Sequence, residues 1–206
     1  MKNALIDQIR LDGGVLCLDF VNTIPDRKDG SNRDNLQSYN DLIYWARKAK
    51  AIGSPAFTAL EKAGLAKERA AREHFVQSLQ LRDLLYRLFY PLSQQTKVKP
   101  ADLDAFNKTM SRHAAQLIIV PREDGFERKW AYDATQFQIV TAPIIQSAHD
   151  LLLSDKLTRI KECPNCGWLF LDTTKNGKRR WCSMEDCGSN VKALQYYYRK
   201  KNEAQE

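Results

Sequence analysis

Four of the five cysteines of the chain lie among its last 45 residues, with the spacing C-x2-C-x15-C-x4-C. Two close pairs of thiolates separated by about fifteen residues are typical of a tetrahedral zinc site. Four protein sulfurs leave no open coordination position, so the pattern predicts one structural zinc ion per chain. The alternative interpretation is a pair of redox thiols or a set of unrelated buried cysteines. The predicted ligands are Cys163, Cys166, Cys182 and Cys187.

Cations surround this cysteine pattern. Residues 173–201 carry eight Lys or Arg against two acids, a local charge of +6, which suits the phosphates of a nucleic acid. Short polar side chains near the start of the last helix could contact base edges. A solvated basic surface is the alternative, and for Tyr196 and Tyr197 packing under the finger competes with stacking on bases. The predicted nucleic-acid-binding residues are Lys175, Lys178, Arg179, Arg180, Ser189, Asn190, Lys192, Gln195, Arg199, Lys200 and Lys201.

A second cluster of polar residues lies near the N-terminus, where an apolar run enters a loop rich in Asp, Asn, Arg and Gly at residues 25–37. These side chains could line a pocket for a small-molecule effector of unknown identity. The alternative is that Asp and Asn satisfy local backbone N–H groups in turns. The candidate pocket residues are Asp19, Asn22, Thr23, Arg27, Arg33 and Asp34.

The sequence offers little that suits catalysis. His74, His113 and His149 fall on three separate helical segments, and no nucleophile elbow, phosphate-binding loop, dinucleotide fingerprint or zinc-protease motif occurs. Cys17 lies in an apolar segment, which is typical of a buried core thiol. We therefore expect that the protein is not an enzyme.

The elements that must position these residues are mainly helical. Apolar residues recur at three- and four-residue spacing over much of the first 154 residues, and Ser38 with Asp41 resembles a capping box. We interpret residues 14–22 as a strand or as a buried turn into a helix. Helices are predicted at 38–51, 54–63, 65–92, from Pro100 onward and at 134–153 with a kink at Pro143, and a small hairpin at 117–121 with 126–132.

The composition changes near residue 155, which predicts a helical domain at 1–154, for ligand sensing or dimerisation, and a zinc finger at 155–206. In the finger, Gly167 allows a tight knuckle. Residues 168–172 form a strand that returns through residues 180–181, and Cys187 lies where the last helix begins. This arrangement is a treble-clef-like finger. The predicted fold class is mainly α with a small β element.

Both parts resemble known families. Residues CPNCGW at 163–168, RWCSM at 180–184 and Cys187-Gly188 are similar to the CGNR zinc finger found in bacteria. LCLDFVNT at 16–23, Asp34-Asn35-Leu36 and DLIYWA at 41–46 resemble the ABATE domain that precedes it. The resemblance implies a stress-related transcription regulator that binds DNA through the finger. One departure is that the family's Asn-Arg is Ser189-Asn190 here, which removes an arginine that would contact DNA or pair within the finger, for example with Asp172.

The whole-chain composition agrees with these interpretations. The chain has 206 residues and a net charge of +7, and no apolar run is long enough to span a membrane. We expect a cytoplasmic, zinc-dependent nucleic-acid-binding protein, most simply a DNA-binding transcription regulator, with RNA as a second candidate ligand and a homodimer as its state. The alternatives are a protein–protein adaptor that docks through the finger, and a small-molecule or redox sensor.

Overall fold

The computed structural model describes residues 4–31 and 33–203, and this part of the chain is mainly helical. Two antiparallel hairpins are the only sheets among these residues. The helices are α1 (Ala4–Gln8), α2 (Leu16–Val21), α3 (Tyr39–Lys48), α4 (Ser54–Ala66), α5 (Glu68–Ser93), α6 (Pro100–Ala114), α7 (Ala142–Leu152) and α8 (Ser189–Glu203), and the strands are β1 (Leu117–Arg122), β2 (Gly125–Trp130), β3 (Ile160–Glu162) and β4 (Leu169–Leu171).

The longest helix, α5, lies at the centre of the N-terminal part and confirms the helix predicted at 65–92. Its apolar residues recur every three or four positions, so one stripe that includes Leu81, Leu85 and Leu88 faces the core. The helix contacts α2, α3, α4 and α6, and it also contacts both β3 and β4. Helix α5 therefore packs against both parts of the chain.

The start of α3 confirms the predicted capping box. The hydroxyl oxygen of Ser38 accepts a hydrogen bond from the backbone N–H of Asp41 at 3.2 Å. The carboxylate of Asp41 in turn accepts from the backbone N–H of Gln37 at 3.1 Å. These contacts satisfy N–H groups that have no partner within the helix, and so they fix where α3 begins.

Helix α4 is longer than predicted, because Gly64 does not end it. The ring of Tyr39 packs against this glycine, and a Cβ at position 64 would lie 2.7 Å from the Tyr39 ring. Gly64 is therefore a contact point between α3 and α4 instead of a helix stop. A glycine that lets two helices approach closely has the same sequence signature as one that ends a helix.

Residues 14–22 contain the short helix α2, so the second of the two sequence interpretations is the right one. Five consecutive residues from Cys17 to Val21 are buried. The helix is enclosed on all sides because it packs against α5, α7 and β4. A helix buried all round gives an uninterrupted apolar run, and such a run also suits a buried strand.

The helix predicted at 134–153 is present, but its predicted start and the predicted kink at Pro143 are wrong. Helix α7 begins at Ala142, and Pro143 occupies its first turn, where a missing N–H costs no helical hydrogen bond. A single 3₁₀ turn, Phe137–Ile139, precedes it. The hairpin predicted upstream is confirmed, with β1 and β2 paired from Leu117 and Trp130 to Arg122 and Gly125.

The strand predicted at 168–172 is present as β4, but its predicted partner is wrong. Strand β4 pairs with β3, in the register of Ile160 with Leu171, and not with the chain at 180–181. The physical reason is burial: Ile160, Leu169 and Leu171 are part of the main hydrophobic core. The hairpin can contribute these side chains to that core only when β3 and β4 lie side by side against α5.

The described residues form two hydrophobic clusters of very different size. The main one contains residues from every helix between α1 and α7 and from the β3–β4 hairpin. The smaller one contains the four C-terminal cysteines with Trp168, Phe170 and the partly buried Trp181. Among the described residues, no helix is both long and apolar enough to cross a membrane.

Candidate metal centre and basic groove

The four predicted ligands converge on one point. The sulfur atoms of Cys163, Cys166, Cys182 and Cys187 all lie within 4.8 Å of one another. Cys182 lies 3.5 Å from Cys187, and Cys166 lies 3.6 Å from both Cys182 and Cys187. Thiolates bound to zinc at about 2.3 Å in a tetrahedron are about 3.8 Å apart. All four side chains are buried, so the cluster fits a zinc ion in both size and chemistry.

The crowding of Cys163, Cys166 and Cys182 shifts the pKa values of these three thiols. Hydrogen bonds from Cys166 and Cys182 lower the pKa of Cys163, and hydrogen bonds to Cys163 raise the pKa of Cys166 and Cys182. The protein alone therefore keeps protons between its sulfurs. A zinc ion would replace these protons, because its charge stabilises neighbouring thiolates together. Since protein sulfurs fill all four positions, this is a site for a single structural zinc ion.

The first two ligands lie on a tight turn after β3. The backbone N–H of Gly167 donates to the carbonyl of Cys163 at 2.9 Å, and the N–H of Cys163 donates to the carbonyl of Trp168 at 2.8 Å. Gly167 has a φ of +72°, and a Cβ there would lie 3.0 Å from the Cβ of Arg27. Both the turn and the close approach of the N-terminal loop therefore require glycine at this position.

The second pair of ligands lies on the approach to α8. Cys187 is in a π-helical turn, Met184–Gly188, which ends one residue before α8 begins. The N–H of Gly188 donates to the carbonyl of Ser183 at 3.0 Å, and a Cβ at Gly188 would lie 2.6 Å from the sulfur of Met184. The positive end of the α8 dipole therefore lies close to the thiolates.

Arg10, which the sequence analysis did not single out, reaches the metal centre from the segment after α1. Its guanidinium pairs with Asp186 and, at 3.3 Å, with Asp12. Its guanidinium lies 5.2 Å from the centre of the Trp168 ring. Burial alone would lower the pKa of Arg10, but the neighbouring carboxylates and the thiols of Cys182 and Cys187 raise it. A cation here offsets part of the negative charge of the thiolates. No sequence signal identifies Arg10, because its partners lie near the other end of the chain.

Asn190 occupies the position at which the CGNR pattern has arginine. Its side-chain amide donates to the carboxylate of Asp186 at 2.9 Å, while the hydroxyl of Ser189 donates to the carbonyl of Met184 at 2.9 Å. Asp186 thus contacts both Asn190 and Arg10. An arginine does pair with this acid, but it comes from the N-terminal segment.

Asp172 does not lack a partner. Its buried carboxylate accepts hydrogen bonds from the ammonium of Lys161 at 2.7 Å, the hydroxyl of Thr174 at 2.6 Å and the backbone N–H of Arg179 at 2.9 Å. Burial alone would raise the pKa of Asp172, but these hydrogen bonds hold it well below its usual range. Lys161 also donates to the carbonyl of Arg179 at 3.0 Å. Lys161 and Asp172 together therefore hold the loop at 173–180 against the β3–β4 hairpin.

An open groove of about 720 Å³ lies beside the metal centre. Four predicted phosphate-binding cations, Lys175, Lys178, Arg180 and Lys192, line it, and no acidic residue of the described chain does. The guanidinium of Arg180 lies 4.8 Å from the centre of the Trp181 ring. The structure therefore brings together cations from the loop after β4 and from α8.

Arg179 lines the same groove but turns its guanidinium into the protein. It donates to the carbonyl of Trp181 at 3.0 Å, to the carbonyl of Cys182, and to that of Asp12 at 3.3 Å. It also lies 4.7 Å from the centre of the Phe170 ring. The contacts in the structure give Arg179 a structural part in the finger, which separates it from the other groove cations.

The remaining predicted residues lie farther along α8. Gln195 is one turn beyond Lys192. Residues 199–201 begin about 10 Å beyond Lys192 along the helix axis. Arg199 and Lys200 contact Glu203, at 3.9 and 2.9 Å. The structure does not bring these last cations to the groove.

Helix α8 has no buried residue, and every residue from Lys192 to Glu203 is exposed. Tyr196 and Tyr197 are 56% and 60% exposed, so they do not pack under the finger. The helix touches the rest of the chain mainly through the turn that carries Cys187. Both faces of α8 are therefore free to contact another molecule.

The six candidate pocket residues are tied to protein groups: Asp19, Asn22, Thr23, Arg27, Arg33 and Asp34. The carboxylate of Asp19 accepts from the backbone N–H of Gly13 at 2.8 Å, and burial raises the pKa of Asp19 to about 6. Arg82 of α5 donates to the hydroxyl of Thr23 at 2.9 Å and to the carboxylate of Asp34 at 2.9 Å. These contacts fasten α2 and its loop to α5.

Asn22 and the two loop arginines complete this set. The side chain of Asn22 donates to the carbonyl of Leu169 at 2.8 Å and accepts from its N–H at 3.0 Å. Arg27 donates to the carbonyl of Val21 at 2.7 Å, and its guanidinium lies over the Tyr86 ring at 3.9 Å. Arg33 pairs with the carboxylate of the exposed residue Asp29, four positions earlier in the loop, at 2.6 Å. The predicted pocket in this region stays a prediction.

Two family models match the chain, and together they span most of it. The ABATE model, described as "Putative stress-induced transcription regulator", matches residues 14–155. The CGNR zinc finger model matches residues 159–200, which include all four cysteines. No curated protein matches the chain. The chain belongs to the ABATE family and carries a C-terminal CGNR zinc finger that holds one structural zinc ion.

Proposed function

We propose that this protein is a DNA-binding transcription regulator whose zinc finger holds DNA phosphates in the basic groove. The observation that carries the proposal is the convergence of Lys175, Lys178, Arg180 and Lys192 on one open groove that no acidic residue of the described chain lines. Phosphate contacts of this kind supply most of the affinity of a protein for DNA, and they fix its orientation on the duplex.

Helix α8 supplies the sequence reader in this proposal. Its residues from Lys192 to Glu203 are exposed, and it begins beside the groove, with Lys192 in its first turns. An exposed helix next to a phosphate-binding surface can enter the major groove of DNA. Gln195, one turn beyond Lys192, is then the first candidate for contacting base edges. Ser189 and Asn190 already hydrogen-bond within the finger, which makes them weaker candidates.

The proposed regulator acts as a homodimer with its N-terminal helical part as the sensing or dimerising domain, divided from the finger near residue 155. One small finger offers a limited DNA interface, and two copies double the contacts. Light scattering of the zinc-loaded protein, alone and on duplex DNA, measures the stoichiometry. A single copy per duplex at saturation contradicts the homodimer and leaves the groove proposal standing.

The experiment is fluorescence anisotropy of a labelled mixed-sequence DNA duplex with the zinc-loaded protein. Contacts to about four phosphates predict an affinity that falls about 150-fold between 50 and 200 mM salt. The triple variant K175E/K178E/R180E should lose binding at both salt concentrations. Arg179 is left unchanged because its side chain holds the finger together.

The matched control is K97E/K99E/K108E, which changes the charge by the same amount on exposed residues of the N-terminal part. It should retain binding within a few-fold of the unmodified protein, and zinc content is measured for every variant. Equal losses in both triple variants, or no binding at low salt with zinc present, would refute the proposal. Competition with single-stranded RNA distinguishes DNA from RNA as the ligand.

A protein-docking function is the second candidate. The observation that favours it is the exposure of Leu194 (55%) beside Tyr196 and Tyr197 on α8, since exposed aromatic residues are enriched at protein interfaces. If Y196A/Y197A abolishes the regulatory activity of the protein while K175E/K178E/R180E leaves that activity intact, the finger is a docking module instead of a DNA-binding one.

A further inference from the structure

A second cavity lies in the N-terminal part, away from the metal centre and away from the loop at 25–37. Its volume is about 330 Å³, within the range of small-molecule sites. Helices α5 and α6 form two of its walls, and the segment leading into α7 forms the third. Most of its wall is polar, with amide and hydroxyl groups from Gln77, Gln138 and Thr141.

His74 of α5 lines this cavity and has an unsatisfied ring nitrogen. The side chain is only 6% exposed, and its Nε2 is buried without a hydrogen-bond partner among the described residues. Burial lowers the pKa of His74 to about 4, so the ring is neutral at pH 7. A buried polar atom of this kind costs free energy unless it finds a partner. A polar ligand in the cavity would supply that partner if the ring turned its Nε2 towards the cavity.

The positive charge on the cavity wall indicates that the ligand is an anion. Arg112 of α6 lines the cavity and makes no ion pair with any residue that the structure describes. Arg87 also lines it, but its guanidinium is paired with Asp102 at 2.7 Å. His113 stands beside Arg112, with its Nδ1 2.7 Å from the hydroxyl of Tyr132. No acidic side chain of the described chain lines this cavity, so its wall combines the unpaired cation Arg112 with neutral polar groups such as the amides of Gln77 and Gln138.

We propose that the cavity binds a small organic carboxylate that carries further hydroxyl or carbonyl groups. The ligand carboxylate pairs with Arg112, and the side-chain amides of Gln77 and Gln138 donate to its other oxygens. The hydroxyl of Thr141 already donates to the carbonyl of Gln138, so it accepts from a ligand hydroxyl, and His74 binds the buried end. This site is separate from the predicted pocket at Asp19 to Asp34, and it does not depend on DNA binding. Because α5 also contacts β3 and β4 of the finger, a ligand here lies one helix away from the metal-binding part of the chain.

The test uses the full-length, zinc-loaded protein labelled with ¹⁵N. Succinate, malate and citrate are titrated at constant ionic strength while the ring nitrogens of His74 are observed by NMR. At least one of them should shift the His74 signals in a saturable way with a Kd of about 1 mM or tighter. The variant R112Q should weaken that binding at least tenfold.

The matched control is K108Q, which removes one positive charge from α6 one turn before Arg112 and outside the cavity wall. It should bind the same ligand with an affinity within twofold of the unmodified protein. Equal weakening by R112Q and K108Q would show a general charge effect and overturn the site. The absence of any saturable His74 shift at about 20 mM of each carboxylate would overturn it as well. Inorganic phosphate is a further arm, and binding of phosphate alone would refute the carboxylate assignment.

Discussion

The two parts of this chain are held together by different physics. The N-terminal part buries a large apolar cluster contributed by seven helices, and burial of apolar surface stabilises it in proportion to area. The finger has a cluster of four cysteines with Trp168, Phe170 and Trp181, too few side chains to be stable without metal. The hairpin β3–β4 belongs to the first kind of core although it carries the finger's first ligands. We therefore expect the metal to organise the turn at 163–168 and the chain beyond β4, while the main core holds the β3–β4 hairpin.

The largest expected effect comes from removing zinc. Chelation, or the variant C182S, should unfold residues 173–203 while α5 and the β3–β4 hairpin keep their structure, because zinc contributes on the order of 10 kcal/mol to such fingers. Hydrogen exchange measured by mass spectrometry shows which segments lose protection. C17S removes a buried thiol that is not a ligand, and it should retain one zinc per chain. Loss of protection in α5 together with the finger would show that the two parts unfold as one.

A cavity in the helical core should have the next largest effect and act on the other part. Leu85 is fully buried in α5, and Leu85→Ala should lower the free energy of unfolding by about 2–5 kcal/mol. Urea unfolding monitored by circular dichroism measures this change. Leu65→Ala, at a residue that is 75% exposed, should stay within about 0.5 kcal/mol of the unmodified protein. If L85A loses zinc while its helices remain folded, then the helical core and the finger are not stabilised independently of each other.

Two buried titratable groups of the helical part should respond to pH in opposite directions. Burial lowers the pKa of His74 to about 4, so the unfolded chain takes up this proton first and stability falls as the pH drops from about 6.5 to 4. Burial raises the pKa of Asp19 to about 6, so its contribution to stability grows as the pH falls from about 6 to 3.8. Each shift amounts to about 3 kcal/mol.

The variants H74Q and D19N separate these two contributions. Relative to the unmodified protein, H74Q should gain stability as the pH falls from 7 to 4.5, and D19N should lose it. Unfolding by urea at a series of pH values measures both differences in free energy of unfolding. Zinc release at low pH affects all three proteins equally, so it does not contribute to these differences. Parallel curves for the three proteins would mean that neither group titrates between pH 7 and 4.5.

The smallest expected effect concerns the contact between the two parts. The side chain of Asn22 makes two buried hydrogen bonds to the backbone of Leu169, and Asn22→Ala should cost about 2 kcal/mol. In this variant, amide exchange should speed up more in the β3–β4 hairpin than in α3, relative to the unmodified protein. Asn107→Ala, at an exposed position of α6, is the control and should change stability by less than about 0.5 kcal/mol. Equal protection of the hairpin in both variants would show that apolar packing alone holds it.

Much of the fold was predictable because local rules fix it. The stripe of α5, the capping box at Ser38 and the hairpin at 117–130 follow from periodicity and turn chemistry. The errors occurred where a long-range contact overrides a local signal. Gly64 packs against Tyr39 instead of ending a helix, and β4 pairs with β3 because the main core accepts their side chains. Single-sequence patterns carry no information about such partners.

The sequence by itself determined the metal centre, since the spacing of Cys163, Cys166, Cys182 and Cys187 specifies a tetrahedral thiolate site without reference to the rest of the chain. Only the tertiary structure decided which cations share a groove and that Arg179 turns inward. It also placed Arg10 beside Asp186, and it left the Nε2 of His74, a residue that lines a cavity, without a hydrogen-bond partner in the described part of the chain. The physical reason is that ligand spacing is a local property, whereas burial, pairing and exposure depend on residues that are distant in sequence.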